Sequence, residues 1–228
     1  RGLGDVYKRL VLEIGVPFSD PLADGPVIQR SAERALKAGA TLSSTLDLVE
    51  RLRPKLSAGV VIFSYANPLM AMGVDTFAAR AADVGVDGVL VLDLPIEEAG
   101  ELRDLICKFD IDPIFLLSPT TTQERIRRAA ELGDGFLYGI SRLGVTGERG
   151  TIAAGAKELV ERIRQVTSMP LALGFGVSRP EHVIEIGRWA EAAVVGSGLV
   201  NRIARVSDGS DLAAEVEKYV RWLKGEIC

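Results

Sequence analysis

The sequence has 228 residues, of which 47% are hydrophobic and 25% are charged, and its net charge is −4. This length is sufficient for one large domain with an extensive core, and the mild negative charge gives no reason to expect nucleic acid or an anionic membrane as a partner. No apolar run approaches the roughly 20 residues that span a bilayer, and the cysteines Cys107 and Cys228 are isolated, so we expect a reduced, cytoplasmic protein.

Short apolar runs rich in β-branched residues alternate along the chain with longer segments of helical periodicity. This alternation predicts a parallel sheet whose two faces are covered. The predicted strands are Val11–Gly15, Val60–Tyr65, Gly88–Asp93, Pro113–Leu117, Gly135–Ser141, Leu171–Gly174 and Ala192–Gly196. The amphipathic helices between them include Thr45–Leu56, Asp75–Val84, Thr122–Leu132 and Ala156–Thr167.

Seven strands are one fewer than a closed β/α barrel contains. We therefore predict an α/β fold, a TIM (β/α)8-type barrel that lacks its first β/α unit, as one domain over residues 1–228 in which residues 1–10 are an atypical remnant. An open sheet is the alternative. In a barrel that lacks its first unit, the strand at Val11–Gly15 would have an unpaired edge, which is a liability for folding or solubility.

The first predicted strand contains a carboxylate two residues before its end. Glu13 shares one face of the strand with Val11 and Gly15, whereas Leu12 and Ile14 lie on the other face. One of these two faces points into the barrel interior. In the interior the carboxylate would lose water, which raises its pKa and suits it to proton transfer near neutral pH. A structural glutamate, paired with Lys8 or Arg9 or turned to solvent, is the alternative.

Two aspartates follow in the turn "DPLADGP". Sequences of this kind form turns and helix caps, and a proline at position 26 is typical of the first residue of a helix. Local sequence therefore favours a turn role for Asp20 and for Asp24.

Three glycine clusters lie in the second half of the chain: "GVTGERG" at 144–150, "GFGVS" at 174–178 and "GSG" at 196–198. The last two follow predicted strands and precede helices, where backbone N–H groups and a helix N-terminus can bind phosphate. In β/α barrels the loops after the last two strands commonly build such a site. The clusters predict a phosphate site, with simple tight turns as the alternative.

Several other chemistries are disfavoured. A Schiff-base mechanism needs a lysine in or at the end of a strand, and all seven lysines fall in predicted helices or their flanks. His182 is the only histidine, and it has no cysteine pair or second histidine near it, which disfavours a transition-metal site and a serine hydrolase triad. Acid–base chemistry by carboxylates on a phosphorylated small molecule remains.

The segment "LEIGVPFSDPLADGP" at 12–26 resembles the signature of the tryptophan synthase alpha subunit family. Six further motifs follow in family order, so the resemblance extends from about Leu12 to the C-terminus. They are "YANP" at 65–68, "DGVLVLDLP" at 87–95, "LLSPTTTQERI" at 116–126, "FLYGISRLGVTG" at 136–147, "LGFGVS" at 173–178 and "VVGSGLV" at 194–200. The family's first strand and helix have no counterpart, and Leu92, Ser118 and Gly139 differ mildly from the family pattern.

The resemblance implies cleavage of indole-3-glycerol phosphate to indole and glyceraldehyde 3-phosphate. It makes Glu13 the general acid/base and Asp24 the partner of the indole nitrogen. Tyr65 and Tyr138 would line the pocket, and Thr146 would close over the site and hold Asp24. The residues implied for phosphate binding are Gly147, Gly174, Phe175, Gly176, Gly196 and Ser197.

The resemblance also implies an alpha2beta2 complex. Pro17 and Asp20 would face the beta subunit, which carries pyridoxal phosphate, and no cofactor or metal is expected in this chain. A free-standing lyase of the same chemistry is an alternative, as is a catalytically impaired activator or scaffold subunit for the beta subunit. Another phosphate-binding barrel, such as a sugar-phosphate isomerase or epimerase, would explain the glycines but not the segment at 12–26.

Overall fold

The computed structural model describes residues 11–140, 154–174, 176–206 and 211–226. Within them seven parallel strands form one sheet, and each strand pairs with its neighbour in chain order. The strands are β1 (Val11–Gly15), β2 (Gly59–Ser64), β3 (Gly88–Val91), β4 (Asp112–Leu117), β5 (Leu137–Ile140), β6 (Leu171–Gly174) and β7 (Ala192–Ala193).

Helices follow each of these strands, and those after β1 to β6 lie between consecutive strands. They are α1 (Pro26–Lys37), α2 (Leu42–Leu52), α3 (Ala66–Met72), α4 (Val74–Asp83), α5 (Gly100–Cys107), α6 (Gln123–Leu132), α7 (Ala154–Arg164), α8 (Pro180–Ile186), α9 (Ser197–Arg205) and α10 (Leu212–Leu223). None of the described helices is long and apolar enough to cross a membrane.

The sheet is curled into a half-barrel. Strands about 4.8 Å apart would place the two edges of a flat seven-stranded sheet roughly 29 Å apart. Helix α1, which follows the first strand, nevertheless contacts α9, which follows the last. The β/α-barrel prediction is therefore confirmed. Within the described residues β1 pairs only with β2, as the sequence predicted, whereas the proposed remnant at 1–10 lies outside them.

Alternation along the strands separates two layers of core. In β2, Val60 and Ile62 pack outward with helix residues such as Leu46 and Phe77, and all four are fully buried. The residue between them, Val61, faces a second cluster inside the curl of the sheet. Both faces of β2 are thus covered, which explains its continuous apolar character.

Element boundaries differ from the predicted ones where hydrogen bonds at the ends decide them. Helix α2 begins at Leu42 rather than at residue 45, because the side chains of Thr41 and Ser44 each accept a hydrogen bond from the other's backbone N–H. Strand β7 ends at Ala193, three residues earlier than predicted. The predicted end of β5 at residue 141 lies outside the described residues.

An arginine and an acid link neighbouring β/α units at the amino-terminal ends of β2 and β3. Arg53 donates to the carbonyl oxygen of Ala58 at 2.8 Å and forms an ion pair of 3.2 Å with Asp87. The same carboxylate accepts the N–H of Val60 at 2.8 Å. Asp87 thereby pairs with the Arg53 guanidinium and also accepts the buried N–H of Val60. This contact lies at the end of the sheet opposite the loops that carry the predicted site.

The same arrangement recurs at β6 and β7. Arg164 donates to the carbonyl oxygen of Met169 at 2.9 Å and to the carboxylate of Glu191. Glu191 accepts the N–H of Leu171 at 2.7 Å. In both cases the arginine donates to the carbonyl five residues later, and the acid precedes the next strand.

Asp87→Ala should lower the free energy of unfolding by about 1–3 kcal/mol, because it leaves the Val60 N–H and Arg53 without their partner. Glu33→Ala is the matched control, since the Glu33–Lys37 pair is exposed and such pairs contribute about 0.5 kcal/mol or less. Urea denaturation measures both. Equal stability of the two variants would show that the acid does not stabilise the strand ends.

Candidate functional site

Glu13 points into the half-barrel. It is in register with Val61 of β2, and Val61 belongs to the interior cluster that also contains Tyr138 of β5. Val11 packs against the same cluster, whereas Ile14 packs against the helix-side core. The face of β1 that carries Val11 and Glu13 therefore points into the half-barrel, and the face that carries Ile14 points towards the helices.

The carboxylate of Glu13 is partly buried and has no compensating charge among the described residues. Burial raises its pKa from 4.5 to about 7, and none of the described residues forms a hydrogen bond or ion pair with it. Its predicted alternative partners, Lys8 and Arg9, lie outside the described residues. A carboxyl group in this state exchanges a proton near neutral pH.

Tyr138 lies in the same interior and interacts with Glu13. Burial raises the pKa of its hydroxyl, and the negative charge of Glu13 raises it further. The hydroxyl therefore stays protonated and is available as a hydrogen-bond donor. It lies 2.7 Å from the position that a Cβ atom on residue 174 would occupy, so Gly174, at the end of β6, leaves the space that Tyr138 fills.

Asp24 is anchored by Tyr65. The hydroxyl of Tyr65 donates to Oδ2 of Asp24 at 3.0 Å and accepts the N–H of Ala23 at 3.0 Å. Partial burial raises the pKa of Asp24, and the hydrogen bond from Tyr65 opposes that shift. Burial also raises the pKa of Tyr65 to about 12, and the ring of Phe18 packs against it with the centroids 5.1 Å apart.

Sequence reasoning placed Tyr65 in the pocket wall but missed its bond to Asp24, since no local pattern links residues 41 positions apart. It also missed Asp93, which follows β3. Oδ1 of Asp93 accepts the N–H of Ala66 at 2.7 Å, at the start of α3, where Tyr65 itself provides no side-chain cap. Asp93 thus fixes the backbone from which Tyr65 extends towards Asp24.

The described glycines of the predicted phosphate site lie after β6 and β7, which are neighbours in the sheet. Gly174 ends β6, and Gly176 has a φ of +67°, a conformation that favours glycine. Gly196 immediately precedes α9 and leaves its N-terminus without a side-chain cap. Helix α9 begins at Ser197 and has no acidic residue in its first turn. These features leave backbone N–H groups for an anion.

Three predicted site residues, Thr146, Gly147 and Phe175, lie outside the described residues.

His182 has a structural partner, since its Nδ1 accepts the N–H of Ser178 at 3.4 Å. Across the described ranges, no group of three or more His, Cys, Asp and Glu side chains could hold a metal ion.

Comparison with known proteins identifies the family. The model of the family described as "Tryptophan synthase alpha chain" matches residues 6–226. The chain belongs to the tryptophan synthase alpha chain family.

Related sequences and structures agree with this assignment. The alpha chain of Solibacter usitatus is 44% identical over 214 residues, which cover 94% of this chain and 80% of that protein. The alpha chain of Methylococcus capsulatus is 47% identical over 204 residues, which cover 89% and 76%. Among solved structures, the tryptophan synthase a2b2 complex from Pyrococcus furiosus matches with a TM-score of 0.88, 38% identity and coverage of 94% of this chain and 86% of that chain. A mutant alpha-subunit from the same organism matches with a TM-score of 0.86, 37% identity and the same coverage.

The resemblance predicted from the motifs is thus confirmed, whereas the roles of single residues stay predictions. One departure from the alpha chain pattern has a steric reason. A Cβ atom at Gly139 would lie 2.6 Å from Cδ2 of Leu173 on the adjacent strand, so in this chain Leu173 fills the space of a side chain at residue 139.

A further surface lies at the same end of the sheet as Glu13. Pro17 is partly buried and Asp20 is exposed in the loop after β1. Leu22, in the same loop, is 94% exposed, and Met70, in α3 after β2, is 61% exposed. The two apolar side chains were not predicted, because a single leucine or methionine has no distinguishing local pattern.

Replacement of Glu13 should change how stability depends on pH. Because the folded-state pKa is raised from 4.5 to about 7, the folded chain retains a proton that the unfolded chain loses, so stability falls as the pH rises through this window. The shift corresponds to roughly 3 kcal/mol. Glu13→Gln should therefore gain stability relative to the unsubstituted chain between about pH 5 and pH 8.

Urea denaturation across this pH range measures the difference. Glu33→Gln, on the exposed surface of α1, should follow the unsubstituted chain. If Glu13→Gln shows the same pH dependence as the unsubstituted chain, the carboxylate is solvated in the folded state.

Proposed function

We propose that this chain is the alpha subunit of a tryptophan synthase and cleaves indole-3-glycerol phosphate to indole and glyceraldehyde 3-phosphate. The observation that carries the proposal is the carboxylate of Glu13, buried in the half-barrel of an alpha chain family member with a pKa of about 7. We also propose a cytoplasmic location, which the biosynthetic role of the family supports.

The reaction requires one proton to be delivered and one to be removed. Carbon 3 of the indole ring gains a proton, and the bond from this carbon to the glycerol side chain breaks. The hydroxyl on the carbon that leaves loses its proton and becomes the aldehyde. A single carboxyl group can serve as acid and as base in turn when its pKa lies near the working pH, which is why we assign both roles to Glu13.

Asp24 would stabilise the charge that develops on the ring. When carbon 3 is protonated, the indole nitrogen becomes positive and its N–H becomes a stronger hydrogen-bond donor. An ionised carboxylate that accepts a hydrogen bond from this N–H lowers the activation barrier for protonation of carbon 3. The hydrogen bond from Tyr65 favours the ionised form of Asp24 against the effect of its partial burial. Tyr65 is thus a positioning residue for Asp24.

The phosphate of the substrate would bind at the loops after β6 and β7. Gly174, Gly176, Gly196 and Ser197 offer backbone N–H groups there, together with the N-terminus of α9. This places the phosphate at one side of the half-barrel mouth and the acid–base group of β1 at the other. Tyr138, whose hydroxyl packs against Gly174, lies between them.

We propose that the beta subunit binds at the loops after β1 and β2. The related a2b2 complex from P. furiosus supports a partner of this kind. Pro17 and Asp20 belong to the proposed contact, and so do the exposed side chains of Leu22 and Met70. Exposed apolar side chains beside a charged residue are typical of protein interfaces. Pyridoxal phosphate would be held by the beta subunit.

Glu13→Gln should lower the rate of indole release by roughly 10²–10⁴-fold, the usual contribution of a general acid–base group. The measurement is indole production from indole-3-glycerol phosphate, with and without the beta subunit. Glu33→Gln is the control. In the unsubstituted chain, kcat/KM should change with an apparent pKa near 7, and this transition should be absent from any residual activity of Glu13→Gln.

Each outcome distinguishes the proposal from its alternatives. Nearly full activity of Glu13→Gln would make Glu13 structural. Rapid turnover without the partner would favour a free-standing lyase. If the unsubstituted chain releases no indole even with the beta subunit but accelerates the partner's own reaction, it is an activator subunit.

Leu22→Asp should weaken binding of the beta subunit by at least about tenfold, because it places a charge in the apolar centre of the proposed contact. Titration calorimetry with the purified beta subunit measures the affinity. Ile184→Asp is the control, since Ile184 is 62% exposed on α8, after β6. Unchanged affinity of Leu22→Asp would place the interface elsewhere.

A further inference from the structure

We infer that Tyr219 of α10 is a positioning residue for the phosphate site, and that it sets the spacing between the loop after β6 and the start of α9. The inference rests on the proposed function, since it concerns the same phosphate-binding loops. It assigns a role to α10, which contributes no residue to the site itself.

The hydroxyl of Tyr219 touches both halves of the site. It donates a long hydrogen bond of 3.4 Å to the carbonyl oxygen of Ser178, two residues after Gly176. It also lies 2.7 Å from the position that a Cβ atom on Gly198 would occupy, in the first turn of α9. One hydroxyl group therefore lies against the β6 loop and against the helix whose N-terminus follows β7.

The two loops also meet each other at this point. A Cβ atom on Gly198 would lie 3.0 Å from the carbonyl oxygen of Val177. The N–H of Ser178 donates to Nδ1 of His182 on α8 at 3.4 Å. Ser178 is thus held through its N–H by α8 and through its carbonyl by α10, next to the first turn of α9.

Helix α10 packs against both α8 and α9. Arg202 of α9 forms an ion pair of 2.7 Å with Glu215 of α10. The side chain of Asp211 caps the start of α10 by accepting the N–H of Ala214 at 3.1 Å. Within α10, the rings of Tyr219 and Trp222 pack with their centroids 5.8 Å apart. These contacts limit the positions that the Tyr219 hydroxyl can adopt.

The spacing of the two loops determines how well a phosphate binds. A phosphate that accepts N–H groups from both loops requires them to be at a defined separation, because these hydrogen bonds weaken steeply with distance and angle. A loop that must be ordered on binding lowers the affinity. The contacts of Tyr219 should therefore affect phosphate binding, while the proton transfers at Glu13, on the opposite edge of the sheet, remain unaffected.

Tyr219→Phe tests this directly, since it removes the hydroxyl and retains the ring. We expect KM for indole-3-glycerol phosphate and the Kd for inorganic phosphate to rise about 3- to 10-fold, as expected for the loss of one hydrogen bond. The value of kcat should change less than about twofold. Glu217→Gln on the same helix is the matched control, because it disrupts only the exposed Glu217–Arg221 pair.

A double-mutant cycle with Gly198→Ala adds a readout that general destabilisation would not produce. Gly198→Ala alone should weaken phosphate binding, because its methyl group would collide with the hydroxyl of Tyr219. In the Tyr219→Phe background the same substitution should raise the Kd for phosphate by a several-fold smaller factor, since only the contacts with the Val177 carbonyl and Cα of Ser178 remain. Such non-additivity identifies a direct interaction between the two positions.

Calorimetry with inorganic phosphate keeps this inference separate from the proposed activity. If the chain binds phosphate but releases no indole, the lyase proposal fails while the Kd values still test Tyr219. An unchanged Kd in Tyr219→Phe, or additive effects of the two substitutions, would overturn the role of Tyr219. Failure of the unsubstituted chain to bind phosphate would overturn it as well, because there would be no site to brace.

Discussion

Side chains alternate between the two faces of β1, and this alternation places the carboxylate of Glu13 inside an apolar half-barrel. The chemistry of the site depends on this placement. Glu13 must face inward because Ile14 is needed in the helix-side core and Val61 occupies the neighbouring inward position. Desolvation then raises its pKa to about 7. This costs folding free energy that an apolar residue would not cost. Packing and the Arg53–Asp87 contact at the opposite ends of the strands offset that cost, so reactivity and stability are located at different ends of one sheet.

The two carboxylates of the site differ because their surroundings differ. Glu13 has no partner among the described residues, and desolvation alone determines its pKa. Asp24 is less buried and accepts a hydrogen bond from Tyr65, which opposes the upward shift. Glu13 is thereby suited to exchange a proton near neutral pH. In Asp24 the hydrogen bond from Tyr65 favours the ionised form, although burial still raises its pKa.

Sequence periodicity predicted the strands well, since six of the seven observed strands begin within one residue of prediction, at residues 11, 59, 88, 112, 171 and 192. Central strands such as β2 are buried on both faces, which produces a nearly continuous apolar run. The start of α2 was missed because the reciprocal bonds of Thr41 and Ser44 decide it. The bond from Tyr65 to Asp24 and the cap from Asp93 could not be predicted from local sequence, since they join loops that follow different, neighbouring strands of the sheet. Only the family resemblance predicts a role in the site for Asp24, because local turn chemistry favoured a structural role.

The loops after β6 and β7 show how the outer helices can contribute to a site they do not enter. Glycine is required at Gly174 and Gly198 because tyrosine hydroxyls occupy the space where a side chain would begin. The first of these hydroxyls comes from Tyr138 inside the half-barrel, and the second from Tyr219 on its outside. The end of β6 is therefore contacted from inside by Tyr138 at Gly174, and the loop that follows it is contacted from outside by Tyr219 at Ser178. Because neither tyrosine can move closer without displacing backbone, the separation of the loops is determined by packing before any phosphate binds, which lowers the ordering cost of binding.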